Sequence, residues 1–466
     1  MARLSIAEVA RAVNGRIVRG DPEAGCSGAA IDSRKVSGGE VFFAYEGEHT
    51  DGHRFVADAL ARGAAAAVVQ RGHERSDGSV GAIIEVDDTF QALHGLARTV
   101  RGRGVPARLA GITGSAGKTT TKEILGALLA ARFRTAWTKG NLNNLYGFPL
   151  SLLNVPDGTE WMVAEMGMST PGELRQLSLL GRPDAAVFTV VRPVHLEFFG
   201  TVQAIAEAKS ELLAGLAEDG IIAANADDPE VARIVRRHAE RPAWRGRVIW
   251  YGIQSETAEV RARELAPEPA GIGSRFVLEA GGAKSEVRLP LHGLYNVENC
   301  LAAAACAWGL GLSLGEIAAA VREVRPAAMR GIVHRIAGPR GTYTLVDDSY
   351  NSNPDAVGKA LEGAKQLPGR RWLAVLGDML ELGPEGPRFH REAGELAARL
   401  GFAPVLGVGE LSRELAADAD WRPDAASAAE WAAAEVREGD VLLVKGSRGV
   451  KLDQVVRRLQ EEGGRG

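Results

Sequence analysis

Gly111-Ile112-Thr113-Gly114-Ser115-Ala116-Gly117-Lys118-Thr119-Thr120-Thr121-Lys122 is the stretch on which the fold turns. An apolar run (109–112) leads into it. A helix-prone run (118–132) leaves it, with Ile124, Leu125, Leu128 and Leu129 on one face. Strand, glycine-rich turn and helix in that order form a phosphate-binding loop. Gly114 and Gly117 let the backbone curl so that several N–H groups converge on one phosphate. In such a loop Thr113, Gly114, Ser115, Ala116, Gly117 and Thr120 surround a nucleotide. Lys118 brings charge to its β- and γ-phosphates, and the Thr119 hydroxyl is suited to Mg²⁺. The usual pattern has four residues between its first glycine and the Gly-Lys pair; here the tighter unit is Gly114-x-x-Gly117-Lys118-Thr119.

Outward from this loop, the 466-residue chain has room for about three domains of ~150 residues. Its 45% hydrophobic and 24% charged content is that of an ordinary globular protein, and a net charge of −4 gives no electrostatic case for nucleic-acid binding. Cys26, Cys300 and Cys306 neither pair evenly nor show metal spacing, which suits a reducing cytoplasm. The N-terminus lacks an apolar signal core, and no apolar run approaches the ~18 residues needed to cross a bilayer. Without a heptad or an exposed apolar stripe, a monomer is expected.

Three segments separate by pattern. Residues 1–103 hold short strands (40–44, 65–69, 82–86) between Asp-Gly and Gly-Gly turns. Residues 101–106 read as a linker. Residues 104–326 alternate apolar strands (109–113, 161–165, 185–191, 220–225) with helical patterns, which predicts a parallel sheet covered by helices. A helix with Cys300 and Cys306 as small core residues closes this segment, and 325–331 reads as a second linker. Residues 327–466 repeat the alternation (343–347, 372–376, 405–408, 441–444) as a smaller doubly wound unit. The Ala-rich stretch 415–436 reads as helix and connecting loop. The expected class is α/β in three domains: a small N-terminal α/β domain, a central phosphate-loop domain and a C-terminal Rossmann-like domain.

Ligands of open parallel sheets sit at the carboxyl ends of the strands. Glu165 ends one strand and His195 follows another, so both are candidate metal ligands beside the loop. Asn141, Asn143 and Asn144 crowd one loop; such loops are usually plain turns, yet three amides are also suited to a substrate's phosphate or carboxylate. Lys209 lies in Ala206-Glu207-Ala208-Lys209-Ser210-Glu211, whose periodicity reads as an amphipathic helix with a solvated lysine.

These stretches, with Gly140-Asn141-Leu142-Asn143-Asn144, Ala164-Glu165-Met166-Gly167, His195-Leu196-Glu197-Phe198-Phe199-Gly200 and His292-Gly293-Leu294-Tyr295-Asn296-Val297-Glu298-Asn299, resemble the Mur ligase family, in the family's motif order, from about residue 30 to about 455. The resemblance implies ATP-driven peptide-bond formation through an acyl phosphate, with two Mg²⁺ ions. It implies catalytic roles for Lys118, Glu165, His195 and Lys209, with Thr119 and Glu165 on one ion and His195 and a carbamylated Lys209 on the other. Asn296 and Asn299 become adenine contacts, Arg330 a phosphate contact, and Asp347 a ribose or hinge-side contact. Closure of the domains about 327–331 follows from their lying on different segments. Asp32-Ser33-Arg34 and the 42–53 run, with Gly47, Asp51 and His53, resemble a UDP-sugar-binding domain. Asp347-Asp348-Ser349-Tyr350-Asn351-Ser352-Asn353-Pro354, Leu376-Gly377-Asp378-Met379-Leu380-Glu381-Leu382-Gly383 and Val444-Lys445-Gly446-Ser447-Arg448-Gly449 resemble the members that add a dipeptide. Tyr350 and Asn351 are then substrate contacts, and Asn351 stands where members adding one amino acid typically carry His, which favours a dipeptide-adding member. The implied partners are a UDP-N-acetylmuramoyl-tripeptide and D-Ala-D-Ala. A family member adding a single amino acid is the nearest competing reading. A nucleotide-switched regulatory ATPase is the competitor of another class.

Overall fold

Apolar strands alternating with amphipathic helices leave both faces of a sheet to be covered, and the middle of the chain meets that demand. The computed structural model describes residues 4–47, 50–73, 81–194, 196–268, 272–415 and 419–463. Among them the central sheet has nine strands. Seven are parallel neighbours, in the spatial order Thr135–Trp137, Trp161–Glu165, Arg108–Thr113, Ala185–Phe188, Ile221–Asn225, Arg247–Gly252 and Val260–Pro267. Alternate residues face opposite ways. Ala110, Ile112, Val163 and Val187 pack with Ile124, Leu125, Leu128 and Leu129 and with the Leu294–Gly309 helix. Leu109, Met162, Ala164 and Ala186 pack against Leu174, Ile205 and Val231 from helices on the other face. Cys300 and Cys306 are buried in the first of these cores, and burial pushes both thiols up to about 12.

Register places the chemistry. The Arg108–Thr113 strand lies between Trp161–Glu165 and Ala185–Phe188, with Glu165 level with Ile112 and Phe188 level with Thr113. Glu165 and the 189–194 segment therefore leave the sheet on either side of the glycine-rich turn.

The parallel sheet carries an addition that the strand–helix alternation does not predict. Ser274–Ala280 and Ala283–Leu289 add an antiparallel hairpin at one edge. Only one face of this hairpin is buried, so its sequence alternates and lacks the continuous apolar run of a central strand. The strand expected over 185–191 ends at Phe188.

At the N-terminal end, Ala82–Val86, Ala66–Gln70, Val41–Phe43 and Ala29–Ala30 form a parallel sheet, with Arg16–Arg19 antiparallel at its edge. Residues 101–106 are no free linker. The Thr89–Gly102 helix runs into them, and the Arg101 guanidinium donates to the carbonyls of Gly181 (2.7 Å), Pro106 (2.7 Å) and Arg182 (3.1 Å). One apolar core runs from Leu4 through Leu96 and Val100 to Phe148, Leu177 and Val235, so the first two segments are packed as one body.

The last segment is a second doubly wound sheet. Gly341–Asp348, Asp440–Lys445, Arg371–Gly377, Phe402–Val408 and Asp420–Arg422 are parallel, and Ile332–Gly338 pairs antiparallel with Gly341–Asp348. The Ala-rich stretch forms the Ala425–Glu435 helix, capped by the Asp424 carboxylate on the Ser427 N–H. No helix among the described residues is long and apolar enough to cross a membrane.

Candidate active site

Both loop glycines are required by what stands against them. Gly117 has φ +82° and Gly114 φ +153°. A Cβ on Gly117 would overlap the Asn299 side-chain oxygen, and one on Gly114 the Thr189 hydroxyl. The loop is clasped from the neighbouring strand end. Ser115 N–H donates to the Val190 carbonyl (2.7 Å), its hydroxyl donates to the Arg192 carbonyl (3.1 Å), and Arg192 N–H donates back to that hydroxyl (2.9 Å). The Lys118–Ala130 helix has no side-chain cap, so its first N–H groups remain available to an anion in the cleft.

A cleft of about 320 Å³ opens over this loop. On its floor the Thr119 hydroxyl donates to Glu165 Oε2 (2.6 Å) and the Asn143 amide donates to Oε1 (2.7 Å). The Glu165 backbone N–H donates to the Thr138 hydroxyl (3.1 Å), and the Thr138 carbonyl accepts from the buried Lys122 ammonium (2.6 Å). Lys118 lines the cleft with its ammonium on the Gly114 carbonyl (2.8 Å). Its amine is held below the usual lysine value by burial and then by Arg330, against the pull of Glu165. Lys209 also lines the cleft and is only 3% exposed. The expectation of a solvated lysine is therefore overturned. Its amine makes no hydrogen bond or ion pair with any described residue, and burial, with Lys118 second, holds its pKa well below the ordinary value.

The opposite wall comes from the last segment. Arg330 stacks over the Tyr350 ring at 4.2 Å, and Arg448 approaches the same ring at 5.8 Å. Lys445 donates to Asp348 Oδ2 (2.6 Å) and to the Asn351 carbonyl (3.1 Å). Polar bridges cross between the two bodies. Arg192 joins Asp228 (2.6 Å) to Asp355 (3.2 Å), Lys359 joins Glu298 (2.7 Å) to Asp355 (3.6 Å), and His292 Nε2–H donates to the Gly363 carbonyl (2.6 Å).

Thr119, Glu165, Asn143, Asn144, Lys209, Asn299, Arg330, Tyr350 and Asn351 thus share one cleft with the loop. Asp347, Asn296 and Asn141 are not among the cleft's lining residues. Asp347 is buried and accepts from the Ser349 hydroxyl (2.6 Å), while its neighbour Asp348 lines the cleft, as strand alternation requires. Burial also raises the Asp347 carboxyl above the usual range. Asn296 is turned back onto the His292 carbonyl (2.7 Å), leaving Asn299 to face the loop. Asn141 is exposed, outside the cleft lining. The Asn144 side-chain oxygen also accepts from the N–H groups of Tyr146 (3.2 Å) and Gly147 (2.9 Å). His195 lies outside the described residues.

The N-terminal candidates form a separate group. Ser33 is buried, and Arg34 is exposed and forked onto Asp32 (2.9 Å). Gly47 N–H donates to the Thr50 carbonyl (3.0 Å). His53 Nδ1–H donates to Asp51 (2.7 Å), its Nε2 accepts from Gln70 N–H (3.0 Å), and His73 stacks on it at 4.0 Å.

Sequence reasoning missed Thr138, Lys122, Asp348 and Lys445 as individual residues. The i, i+4 spacing of Lys118 and Lys122 was the available signal for the second lysine. Nothing local marked Thr138.

A glycine-rich phosphate loop at the carboxyl end of a parallel sheet, faced by cationic side chains of a second doubly wound body, defines a nucleotide-dependent enzyme of the phosphate-loop class. Residues 112–307 match the Mur ligase middle domain, 333–448 the Mur ligase glutamate ligase domain, and 26–101 the Mur ligase family catalytic domain. The UDP-N-acetylmuramoyl-tripeptide–D-alanyl-D-alanine ligase of Escherichia coli (strain K12) is 33% identical, covering 99% of this chain and 100% of that one. The Bacillus subtilis (strain 168) ligase of the same name is 33% identical over 93% of each chain. MurF from Acinetobacter baumannii superposes with a TM-score of 0.86 at 29% identity over 99% of both chains. MurF ligase from Thermotoga maritima, solved in complex with ADP, gives 0.79 at 30% identity over 94% of this chain and 98% of that one. The chain belongs to the Mur ligase family and is an ATP-dependent peptide ligase.

Proposed function

We propose that this chain joins D-Ala-D-Ala to a UDP-N-acetylmuramoyl-tripeptide at the expense of ATP, in peptidoglycan precursor synthesis. It would work as a monomer in the cytoplasm. The observation that carries the reading is the cleft itself. A phosphate loop with a buried carboxylate forms one wall, and Arg330, Tyr350, Asn351 and Lys445 form the other.

A carboxylate is a poor electrophile, so the tripeptide carboxylate first attacks the γ-phosphate in line, giving an acyl phosphate and ADP. The dipeptide amine then attacks that carbonyl and phosphate leaves. Phosphoryl transfer needs positioning and charge neutralisation more than covalent help. Lys118 and the free N–H groups of its helix would hold the β- and γ-phosphates. Arg330 would cover them from the other body, and Asn299 would contact the base.

Thr119 and Glu165 form a buried oxygen donor pair with the chemistry a hard cation needs. We assign them to one Mg²⁺, and His195 with a carbamylated Lys209 to a second. Bound there, Mg²⁺ would neutralise phosphate charge and polarise the transferred group. Lys209 fits because burial, and then Lys118, disfavour its ammonium form, and the neutral amine has the lone pair that CO₂ addition requires. We also assign residues 1–103 to the UDP-sugar, 104–326 to ATP and 327–466 to the incoming dipeptide. Ser33, Arg34, Gly47, Asp51 and His53 then serve the first, Asn143 and Asn144 lie on the tripeptide's path, and 327–331 is the hinge.

The test supplies ATP, Mg²⁺ and the UDP-linked tripeptide and follows phosphate release with D-Ala-D-Ala, with D-Ala and with L-amino acids. Release with the dipeptide alone is expected. Release with single amino acids but not the dipeptide would overturn the assignment.

A further inference from the structure

Four residues after Lys118, on the same helix, Lys122 is 0% exposed and is no part of the cleft wall. Its ammonium reaches the end of the Thr135–Trp137 strand. Resting on the assignment of Thr119 and Glu165 to Mg²⁺, we propose that Lys122 is a positioning residue for that metal. By holding Thr138 in place, it fixes the Glu165 carboxylate and the Asn143 amide beside it.

The strand end needs a clasp. Thr135–Trp137 has three residues, lies at the edge of the sheet and, among the described residues, pairs only with Trp161–Glu165. That pairing stops with Trp137 level with Val163, short of Glu165. Thr138 N–H adds one further bond, to the Val163 carbonyl (3.0 Å). Beyond it the Glu165 N–H meets a side-chain oxygen, the Thr138 hydroxyl (3.1 Å). A buried N–H needs an acceptor, so the place of Thr138 sets the place of the Glu165 backbone. The chain then runs on to Asn143, whose amide donates to Glu165 Oε1 (2.7 Å) and whose carbonyl accepts from Gly167 N–H (2.8 Å). Both ends of this loop are thus tied to residues 165–167.

Lys122 closes the clasp. Its ammonium donates to the Thr138 carbonyl (2.6 Å) and pairs with Glu123 Oε1 (3.0 Å). Glu123 Oε2 accepts from the Trp137 indole N–H (2.8 Å). Gly126 leaves room for the Trp137 ring, which a Cβ there would meet at 2.8 Å. The Lys118–Ala130 helix therefore grips residues 137 and 138 from three of its own positions. A buried ammonium is costly, and well-packed apolar side chains of similar volume often give equal or greater stability. Stability alone gives no reason for a cation here, whereas a directed bond to one carbonyl does. Thr119 lies on the same helix, so one rigid element carries one metal donor and sets the position of the other.

The test uses the full-length chain with ADP and follows Mn²⁺ binding by loss of the free-ion electron paramagnetic resonance signal, Mn²⁺ taking the oxygen donors that suit Mg²⁺. Lys122→Met, uncharged and of similar volume, is expected to weaken Mn²⁺ binding about 10- to 100-fold and to leave metal-free ADP binding unchanged. Lys122→Gln, uncharged and shorter, takes its place in each comparison if Lys122→Met does not fold. Thr138→Val should match the Lys122 variant, and Thr138→Ser should regain most of the affinity. Combining Lys122→Met with Thr138→Val should cost little more than either alone, as for residues acting through one contact. Wild-type Mn²⁺ affinity in the Lys122 variant, an equal loss of metal-free ADP binding, or fully additive losses in the double variant would overturn the positioning role. Glu165→Gln is the control for the assignment beneath it. If that variant binds Mn²⁺ like the wild type, the metal assignment falls and the role of Lys122 falls with it.

Discussion

Lys209 has four methylenes and an amine inside the protein with no counter-charge among the described residues, an arrangement that a bare ammonium would not tolerate. The proposed carbamate would relieve it by placing an anionic carboxylate on the nitrogen. Lys209→Ala is therefore expected to lower kcat about 100- to 1000-fold and to regain part of it in millimolar short-chain carboxylic acid. A mass measurement on the active wild type should show a gain of CO₂. An unmodified amine in fully active enzyme, with no rescue of the variant, would end the idea. Glu165 makes the matching case on the other side of the floor. Glu165→Gln keeps the shape and removes the charge that Thr119 and Asn143 now share. It should cost about 100-fold in kcat/KM while leaving the thermal midpoint within a few degrees. These two residues were not equally legible. Glu165 stood out because it closes an apolar strand beside a phosphate loop, although a helix cap was the competing use for a carboxylate there. Lys209 read as surface, because a helical wheel cannot know that the cleft lies on the side where its lysine points.

The element that governs nucleotide affinity is the turn into the Lys118–Ala130 helix, and its tolerance is set by a neighbour distant in sequence. Gly117→Ala must accommodate a methyl at φ +82° against Asn299. Strain of about 1–3 kcal/mol should weaken ATP binding tenfold or more in a calorimetric titration. An unchanged affinity would mean that the turn and Asn299 can part freely. The turn and both of its flanking elements were legible because glycine spacing, an apolar approach and an amphipathic exit agree. The Ser274–Ala280 and Ala283–Leu289 hairpin was not. Its half-buried strands alternate with charged residues, and nothing local separates such a hairpin from a loop between helices. Asp347 and Asp348 show the same limit at finer grain. Adjacent strand residues point opposite ways, and only the folded register says which one meets the cleft.

At the scale of the molecule, polar bridges hold the last body against the rest. Arg192 reaches Asp355, and Lys359 reaches Glu298, across that boundary. Asp355→Asn should lessen compaction on nucleotide binding, read by small-angle scattering. The coupling energy with Arg192→Met should be about 0.2–1 kcal/mol, as for part-exposed pairs. Acid should loosen the whole fold. His94, His238, His292 and His390 all have imidazoles held below the ordinary value, burial being the leading cause. A folded pKa below the unfolded one means that the unfolded chain takes up protons first. The stability is thus present above about 6.5 and is lost as pH falls, down to about 4 for His238. The unfolding midpoint should drop between pH 7 and 4, each proton adding about 1.4 kcal/mol per pH unit. A flat profile across that range would contradict it. The alternation of strands and helices had announced the two doubly wound units. The pinning of the joint between the first two segments was not legible, because a glycine- and arginine-rich run looks the same whether it swings free or is fastened.

That pinned run has a mechanical consequence. With Arg101 fastened to three carbonyls and an apolar core running beneath it, the first two segments are packed as one part and the last segment as another. A protease or a gene truncation that separates residues 332–463 cuts where few apolar contacts cross. One that cuts near 103 tears a core in half. Recombinant pieces of this enzyme should therefore be made as a large N-terminal fragment and a small C-terminal one. Swapping the first hundred residues between relatives should fail unless the Arg101 anchor and its three carbonyls travel with them.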